Sequence, residues 1–576
     1  MDGNYPKNIW KFFLPALACS AIVAHAQPAP TQDAEELRQR ARREAEERQR
    51  QQQAPDVRLP RPETAPPERL PEQETPCFPI QRILLEGDSA ERFQWALSAA
   101  DLAGDGGKDP ATARCLGTRG INLIIGRIQN AIIARGYITT RVLAAPQDLN
   151  TGTLRLTLLP GRIRQIRFAP DTSARANHWN AVPAKPGDLL NLRDIEQALE
   201  NLKRVPTAEA DIQIAPAEGP DARPGESDIV IAWKQAFPLR LTLAADDAGS
   251  RSTGKYQGSV TVSGDHLLTL NDLFYLSFNH DLGGGQSGDR GTRGGAMHYS
   301  LPIGYWQLGA TISRNRYHQA VAGASQTYRY SGESENGEIK LSRLIYRDAV
   351  RKTTLALKGW WRNSQNYIDD TEIEVQRRRM AGWEFGAQHR EHLGAALLDF
   401  NLAYKRGTGA KGSLAAPEQP FDEGTARPKM ILADTQFNLP FQFGGHALRY
   451  TINWRAQWNR TPLVPQDRFA IGGRYTVRGF DGENLLSADR GWLLRNDLGW
   501  QLGQSGQELY LGIDHGRVGG QSAKFLIGRE LTGAAIGLRG GYRQLNWDLF
   551  VGAPLDKPRG FQAPRRTAGF NFSFSY

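Results

Sequence analysis

The 576-residue chain carries 71 Lys and Arg against 61 Asp and Glu, a formal net charge of +10, and 60 glycines. That length allows several domains, and the basic balance suits an anionic surface. It argues against a nucleic-acid partner, because the excess is thinly spread and no basic cluster is interleaved with aromatic residues.

The chain opens with a short apolar run, Phe12 to Val23, flanked by Lys7 and Lys11 and followed by Ala24-His25-Ala26. A basic start, a short apolar region and an A-x-A site predict a secretory signal peptide over residues 1–26. The run is too short to span a bilayer as a helix. Ala16-Leu17-Ala18 before Cys19 fits a lipid-attachment site poorly. The exported chain then keeps Cys77 and Cys115, an even count that makes one disulfide a candidate, with two unpaired thiols as the alternative. No His partners stand nearby at zinc spacing, so no metal is expected.

Residues 27–54 form a charged arm. Its centre, Asp33 to Gln53, has strong helix formers and i, i+4 acid–base pairs such as Glu44 with Arg48, but no apolar stripe. Such a helix cannot dock on an ordinary core; it is either a solvated arm or a helix lying in a wet, polar cavity. The Pro-rich linker over 55–76 should be extended and mobile.

Residues 77–161 and 162–234 read as two small α+β modules in series. The first has a strand at Ile80 to Leu85, a helix at Ala90 to Ala100, a second helix with Ile121, Ile124, Ile125, Ile128 and Ile132 at helical spacing, and strands at Tyr137 to Leu143 and Leu154 to Leu159. The second repeats the plan: strand Ile163 to Phe168, a helix whose apolar face is Leu192, Ile195, Leu199 and Leu202, and strands near Ile212 and at Ile229 to Trp233.

From residue 235 to the end the period changes to two. In LRYTINWRAQW, Leu448 to Trp458, apolar and polar side chains alternate. About sixteen segments of nine to twelve residues follow this pattern, joined by alternating short and long connections, with Trp and Tyr near many ends. An outer-membrane β-barrel of about sixteen antiparallel strands is predicted, its apolar face toward lipid and its polar face toward a wet lumen. The chain finishes with Phe570, Phe572, Phe574 and Tyr576 on one face, the ending bacterial barrels present to their assembly machinery. No H-x-x-x-H, G-x-S-x-G or P-loop occurs, so neither catalytic residues nor a cofactor are expected.

Three stretches carry a family resemblance. PQDLNTGTLRLTLLPGRI, Pro146 to Ile163, resembles the junction between the two POTRA domains of the outer-membrane transporters of two-partner secretion, the TpsB branch of the Omp85 superfamily. LLNLRDIEQALENLKRVP, Leu189 to Pro206, with PGES at Pro224 to Ser227, resembles their second POTRA domain. VRGF, from Val477 through Arg478 and Gly479 to Phe480, resembles the signature of the superfamily's long loop six. The match covers nearly all of the mature chain. Two POTRA domains, rather than three or five, set it apart from the assembly factors of the superfamily.

The resemblance implies that the connection at about 461–490 folds back into the barrel, where its Arg meets an Asp of the inner wall. The matching wall motif is Gly512-Ile513-Asp514-His515-Gly516. Alternation agrees, since Leu509, Leu511 and Ile513 take the lipid face and leave Gly512, Asp514 and Gly516 facing the lumen. Arg478 with Asp514 is the expected anchor; Asp481 is the local alternative. The implied function is export of one large TpsA-type exoprotein, a haemolysin, adhesin or contact-dependent inhibition toxin, across the outer membrane. The POTRA domains would capture the unfolded partner in the periplasm by β-augmentation. Candidates are the strand bearing Asp211, Ile212 and Ile214 and the helix bearing Leu192, Ile195 and Leu199, although that helical face also reads as core. The charged arm resembles the family's plug helix. Outer-membrane lipids and lipopolysaccharide, the BAM machinery for assembly and a monomeric state complete the expectation. An Omp85-type assembly factor and a passive porin are the competing readings.

Overall fold

Alternating sequence becomes a closed ring of strands in the computed structural model, which describes residues 56–60, 68–103 and 107–576. The predicted signal peptide, the charged arm over 27–54 and part of the Pro-rich linker lie outside the described residues.

The first module joins Arg82–Gly87 in parallel to Thr153–Leu159, which pairs antiparallel with Arg141–Leu143. A separate pair, Phe78–Ile80 with Arg114–Leu116, brings Cys77 and Cys115 into a disulfide with a Cα–Cα distance of 5.2 Å. Helix α1, Thr118–Ala134, buries Ile124, Ile128 and Ile132 against this sheet, as its spacing predicts. Its N-cap, Gly117, has no side chain to satisfy the free N–H groups. Glu74 of the linker does so instead, accepting from the N–H groups of Gly117, Arg119 and Gly120 at 2.7–3.0 Å. A carboxylate there also answers the positive end of the helix dipole. The predicted strand from Tyr137 starts only at Arg141, because Gly136 takes a left-handed φ of 97° and the chain turns before it extends.

In the second module Glu226–Gln235 is central, parallel to Arg162–Phe168 and antiparallel to Ala208–Pro216. Helix α2, Leu192–Leu202, packs on this sheet and buries Leu192, Ile195, Leu199 and Leu202. The module is fastened to the barrel's periplasmic turns. Asn180 Nδ2 donates to the carbonyls of Leu270 and Pro302, Asn201 Nδ2 to that of Gly304, and Arg204 to Ser300.

The barrel is a closed antiparallel ring from Leu239–Asp246 to Thr567–Ser575. One of its seventeen elements is the two-residue piece Thr371–Glu372 at the end of the seventh strand, which leaves sixteen full strands. They run from 8 to 21 residues, and Thr327–Arg347, at 21, extends well past the expected nine to twelve. First and last strands meet in a seam of only five register pairs, Asp246 opposite Asn571 to Thr242 opposite Ser575. Leu241 and Tyr576 lengthen it by two backbone bonds of 3.0 and 2.8 Å. The faces separate as alternation requires: on the thirteenth strand, Gln507–Gly519, Leu511 and Ile513 are 53% and 51% exposed, whereas Tyr510 and Asp514 are 2% and 0%. Exposed apolar and buried polar side chains reverse the pattern of a soluble sheet, as lipid outside and a lined lumen inside demand.

Candidate functional site

Between the eleventh strand, His446–Asn459, and the twelfth, Arg490–Gln501, the chain enters the lumen. There Phe469–Ile471 and Leu486–Ala488 pair as a small antiparallel ribbon. Phe469, Ile471, Val477, Phe480, Leu486 and Ala488 form an apolar core with Leu493, Val518 and Leu531 of the wall and Phe561 of the last extracellular connection. A long loop of mixed composition is thus held in a polar lumen by a core of its own.

At the loop's tip each residue of VRGF meets a different feature of the wall. Val477, fully buried, packs where a Cβ on Gly516 would come within 3.0 Å of its methyl group. Arg478 donates to Asp514 three times: from its backbone N–H at 2.9 Å, and from Nε and Nη2 at 2.7 Å each. Its Nη2 also donates to Asp497 at 2.5 Å. Gly479 has a left-handed φ of 95°, and a Cβ there would collide with the backbone of Ala553 on the fifteenth strand, so only glycine permits this approach. Phe480 stacks edge-on against Phe561, with ring centroids 5.8 Å apart.

The Arg478 guanidinium is 3% exposed and the Asp514 side chain is fully buried, so this pair is withdrawn from bulk solvent. Desolvating both partners is costly, and the fork-shaped, multiply bonded geometry is what offsets that cost. The network continues outward. Asp497 also accepts from Arg539 at 3.3 Å, Arg539 bonds Glu508 at 2.7 Å, and Glu508 pairs with Arg449 at 2.6 Å. Asp481, the local alternative, makes no bond to Arg478; it accepts from the Glu483 N–H at 3.4 Å.

Sequence reasoning missed three partners. Asp497 lies directly opposite Gly512 in the strand register, so the place to look was the residue facing the wall glycine across the ladder. Asp467, at the start of the loop and 1% exposed, pairs with buried Arg362 of the seventh strand, Arg351–Ile368, at 3.0 Å. Arg474 pairs with Asp247 at 2.8 Å and donates to the Phe570 carbonyl at 3.1 Å, touching both strands of the seam.

Of the partner-binding candidates, Leu192, Ile195 and Leu199 are core residues of the second module, 3%, 0% and 3% exposed. Their face of α2 packs in the module's own core, the reading the sequence also offered for it, with Val57 and Leu59 of the linker against the same cluster. Ile212 is buried as well, at 8%, while Asp211 is exposed and Ile214 half-buried. These three lie on Ala208–Pro216, an edge strand of its sheet, so the backbone edge is what the strand presents. Phe572, Phe574 and Tyr576 are 37%, 39% and 80% exposed and Phe570 half-buried, on the outward face of the last strand.

The linker is not loose where it is described. Val57 and Leu59 donate backbone N–H bonds to Glu200 and Glu196 of α2, and Leu70 donates to Asp109 of the first module. Buried carboxylates of the two modules accept from the backbone there, contacts that the linker's Pro content does not announce.

Comparison with known proteins adds the following. Residues 225–540 match the family described as haemolysin secretion/activation protein ShlB/FhaC/HecB. Residues 78–161 match the ShlB-type POTRA domain, and 162–216 a further POTRA family. The chain is 37% identical over 588 residues to the outer membrane transporter CdiB-2 of Burkholderia pseudomallei strain 1026b, covering 98% of this chain and 99% of that protein. It is 25% identical to the hemolysin transporter protein ShlB of Serratia marcescens, over 77% of this chain and 76% of that one. Among solved structures, CdiB from Acinetobacter baumannii superposes with a TM-score of 0.82 at 29% identity, covering 95% of this chain and 99% of that one.

Proposed function

From the premise that the chain belongs to the ShlB/FhaC/HecB family of haemolysin secretion/activation proteins, we propose how its parts divide the work of export. It is an outer-membrane transporter of two-partner secretion, which moves a large TpsA-type exoprotein from the periplasm to the cell surface. Its POTRA domains stand in the periplasm and its sixteen-strand barrel spans the membrane. No catalytic step enters this reading.

Residues 77–161 and 162–234 are the two POTRA domains, 235–576 the barrel, and 27–54 a plug helix that leaves the pore when the partner enters. Capture runs along the edge strand Ala208–Pro216, whose unpaired backbone accepts an extended segment of the unfolded partner. Arg478, with Asp514 and Asp497, anchors loop six so that the lumen keeps a defined wall on one side. The aromatic ending Phe570, Phe572, Phe574 and Tyr576 addresses the barrel to the BAM machinery, and the protein works as a monomer among outer-membrane lipids and lipopolysaccharide. With no ATP in the periplasm, the drive comes from binding and from folding of the partner outside.

The observation that carries this reading is the buried Arg478–Asp514 pair inside a closed barrel that is joined directly to a POTRA module. The test is co-expression with its exported partner, to be sought as a very large exported protein in a neighbouring reading frame. Arg478→Asp and Asp514→Arg should each abolish surface appearance of the partner, and the double reversal should restore a substantial part. A well-folded double variant that secretes nothing would count against the anchor.

A further inference from the structure

Where α2 of the second POTRA domain approaches the barrel, a cleft holds residues 56–60 of the chain itself. The Val57 N–H donates to Glu200 at 2.9 Å and the Leu59 N–H to Glu196 at 3.0 Å. Both acceptors belong to α2, four residues apart and therefore on one face. Four helical residues advance about 6 Å. Two residues of extended chain advance about 6.6 Å, so i, i+4 carboxylates match the i, i+2 amides of an extended strand. The far side of the cleft is Arg347 at a periplasmic turn of the barrel. Its guanidinium, 2% exposed, bonds Glu196 and Glu200 at 3.0 Å each and donates to the Val57 carbonyl.

The held segment has the matching pattern. Val57 and Leu59 point inward onto the apolar core of the module, while Arg58 and Pro60 are exposed. Every polar contact just named for Val57 and Leu59 is to main chain. At the segment's start the Asp56 carboxylate is also held, by Lys352 and by His392 at 2.7 Å, so the site reads an extended backbone with apolar residues at alternate positions after a leading carboxylate. An unfolded polypeptide on its way to the pore has that chemistry.

We propose that this cleft is a binding site for extended polypeptide, that residues 56–60 occupy it as a stand-in, and that an extended segment of the secreted partner displaces them. The partner assignment rests on the export function proposed above; the cleft does not.

The test uses full-length protein in detergent micelles and a fluorescein-labelled synthetic peptide of residues 54–62. Val57→Pro with Leu59→Pro deletes the two donating N–H groups, frees the cleft and leaves Glu196, Glu200 and Arg347 intact. Peptide anisotropy should show at least tenfold tighter binding to this variant than to the wild type. The same peptide N-methylated at Val57 and Leu59 should not bind. Unlabelled, unfolded N-terminal segment of the exported partner used in the secretion test should displace the peptide. Equal affinity for wild type and variant, or binding of the N-methylated peptide, overturns the cleft. Peptide binding without displacement by the partner segment overturns the partner assignment. Heat-dependent gel mobility reports whether each barrel is folded. Failure of wild-type secretion would remove the export reading and leave the peptide result standing, so the two can be told apart.

Discussion

Gly512 and Arg478 share one small volume of the lumen: a Cβ on the glycine would collide with the guanidinium that reaches between Asp497 and Asp514. The glycine is there because of what the loop delivers, since its own strand is regular and needs no special backbone angle.

Gly512→Val should therefore behave as a loop-six variant. The barrel should still close, shown by heat-dependent gel mobility, while secretion falls as far as in Arg478→Ala. Hydrogen bonds to charged groups contribute about 1.5–3 kcal/mol each. Retained secretion in the valine variant would mean that the guanidinium does not occupy this space during transport.

The two carboxylates around Arg478 should not count equally. Asp514 accepts three of the four bonds and Asp497 one, on Oδ1, while its Oδ2 accepts from Arg539. Asp514→Asn should lower secretion well below Asp497→Asn. The ranking is read by quantifying surface partner in cells with matched transporter levels, and a reversed order would shift the anchor to the twelfth strand.

Asp467 and Arg362 hold the other end of the loop with opposite polarity, the acid on the loop and the cation on the wall. Removing one partner of a buried pair leaves an uncompensated charge and costs about 3–5 kcal/mol. Asp467→Ala should increase protease cleavage within the loop in folded barrels, and adding Arg362→Ala should recover part of the protection. Single variants as resistant as the wild type would show that this contact does not restrain the loop.

How much of this was legible follows from the kind of signal each feature leaves. The barrel shows because alternation repeats about sixteen times, and Asp514 was reached through the family resemblance, with which the flanking lumen-facing glycines agree. Asp497, Asp467 and Arg474 were not legible: a lone lumen-facing charge looks the same whether its neighbour is water or a loop. Leu192, Ile195 and Leu199 read as core and as candidate partner contacts at once, because a helical apolar stripe carries no label for what covers it. The linker's docking was hidden for a related reason: Val57, Leu59 and Leu70 bond through backbone N–H groups, which every sequence has, and Asp56 and Glu74 look like any solvated carboxylate.

In the first POTRA domain the chemistry is a buried cluster. Asp109, 3% exposed, accepts from Arg127 at 2.5 Å and from the Leu70 N–H at 2.7 Å, and pairs with Arg114 at 3.0 Å. Burial pushes its carboxyl up, but Arg127 and the Leu70 amide outweigh this and hold it below the ordinary range. A carboxyl depressed in the folded state stabilises above its unfolded pKa of about 3.9, and the benefit fades as pH falls through the folded value. Asp109→Ala should thus weaken the domain at neutral pH by about 1.5–3 kcal/mol. The gap between variant and wild type should close below about pH 4. Limited proteolysis of the full-length protein across pH measures it; a gap that widens in acid would contradict the sign.

Arg474 makes the last case, because the strands it joins are those with the least ladder between them. The seam has five register pairs, against eight between the first and second strands. Just above it, Asp247 accepts the Phe570 N–H at 2.8 Å, and Arg474 binds both that carboxylate and the Phe570 carbonyl. A loop residue thus finishes a pairing that the strands leave incomplete. Arg474→Ala should lower the temperature at which the barrel loses its compact gel mobility and should expose the Phe570 amide to faster hydrogen exchange. Arg474→Lys should rescue only partly, since a point-charge ammonium cannot span carboxylate and carbonyl as the planar fork does. Equal exchange at Phe570 in all three proteins would show that the strands hold the seam without the loop.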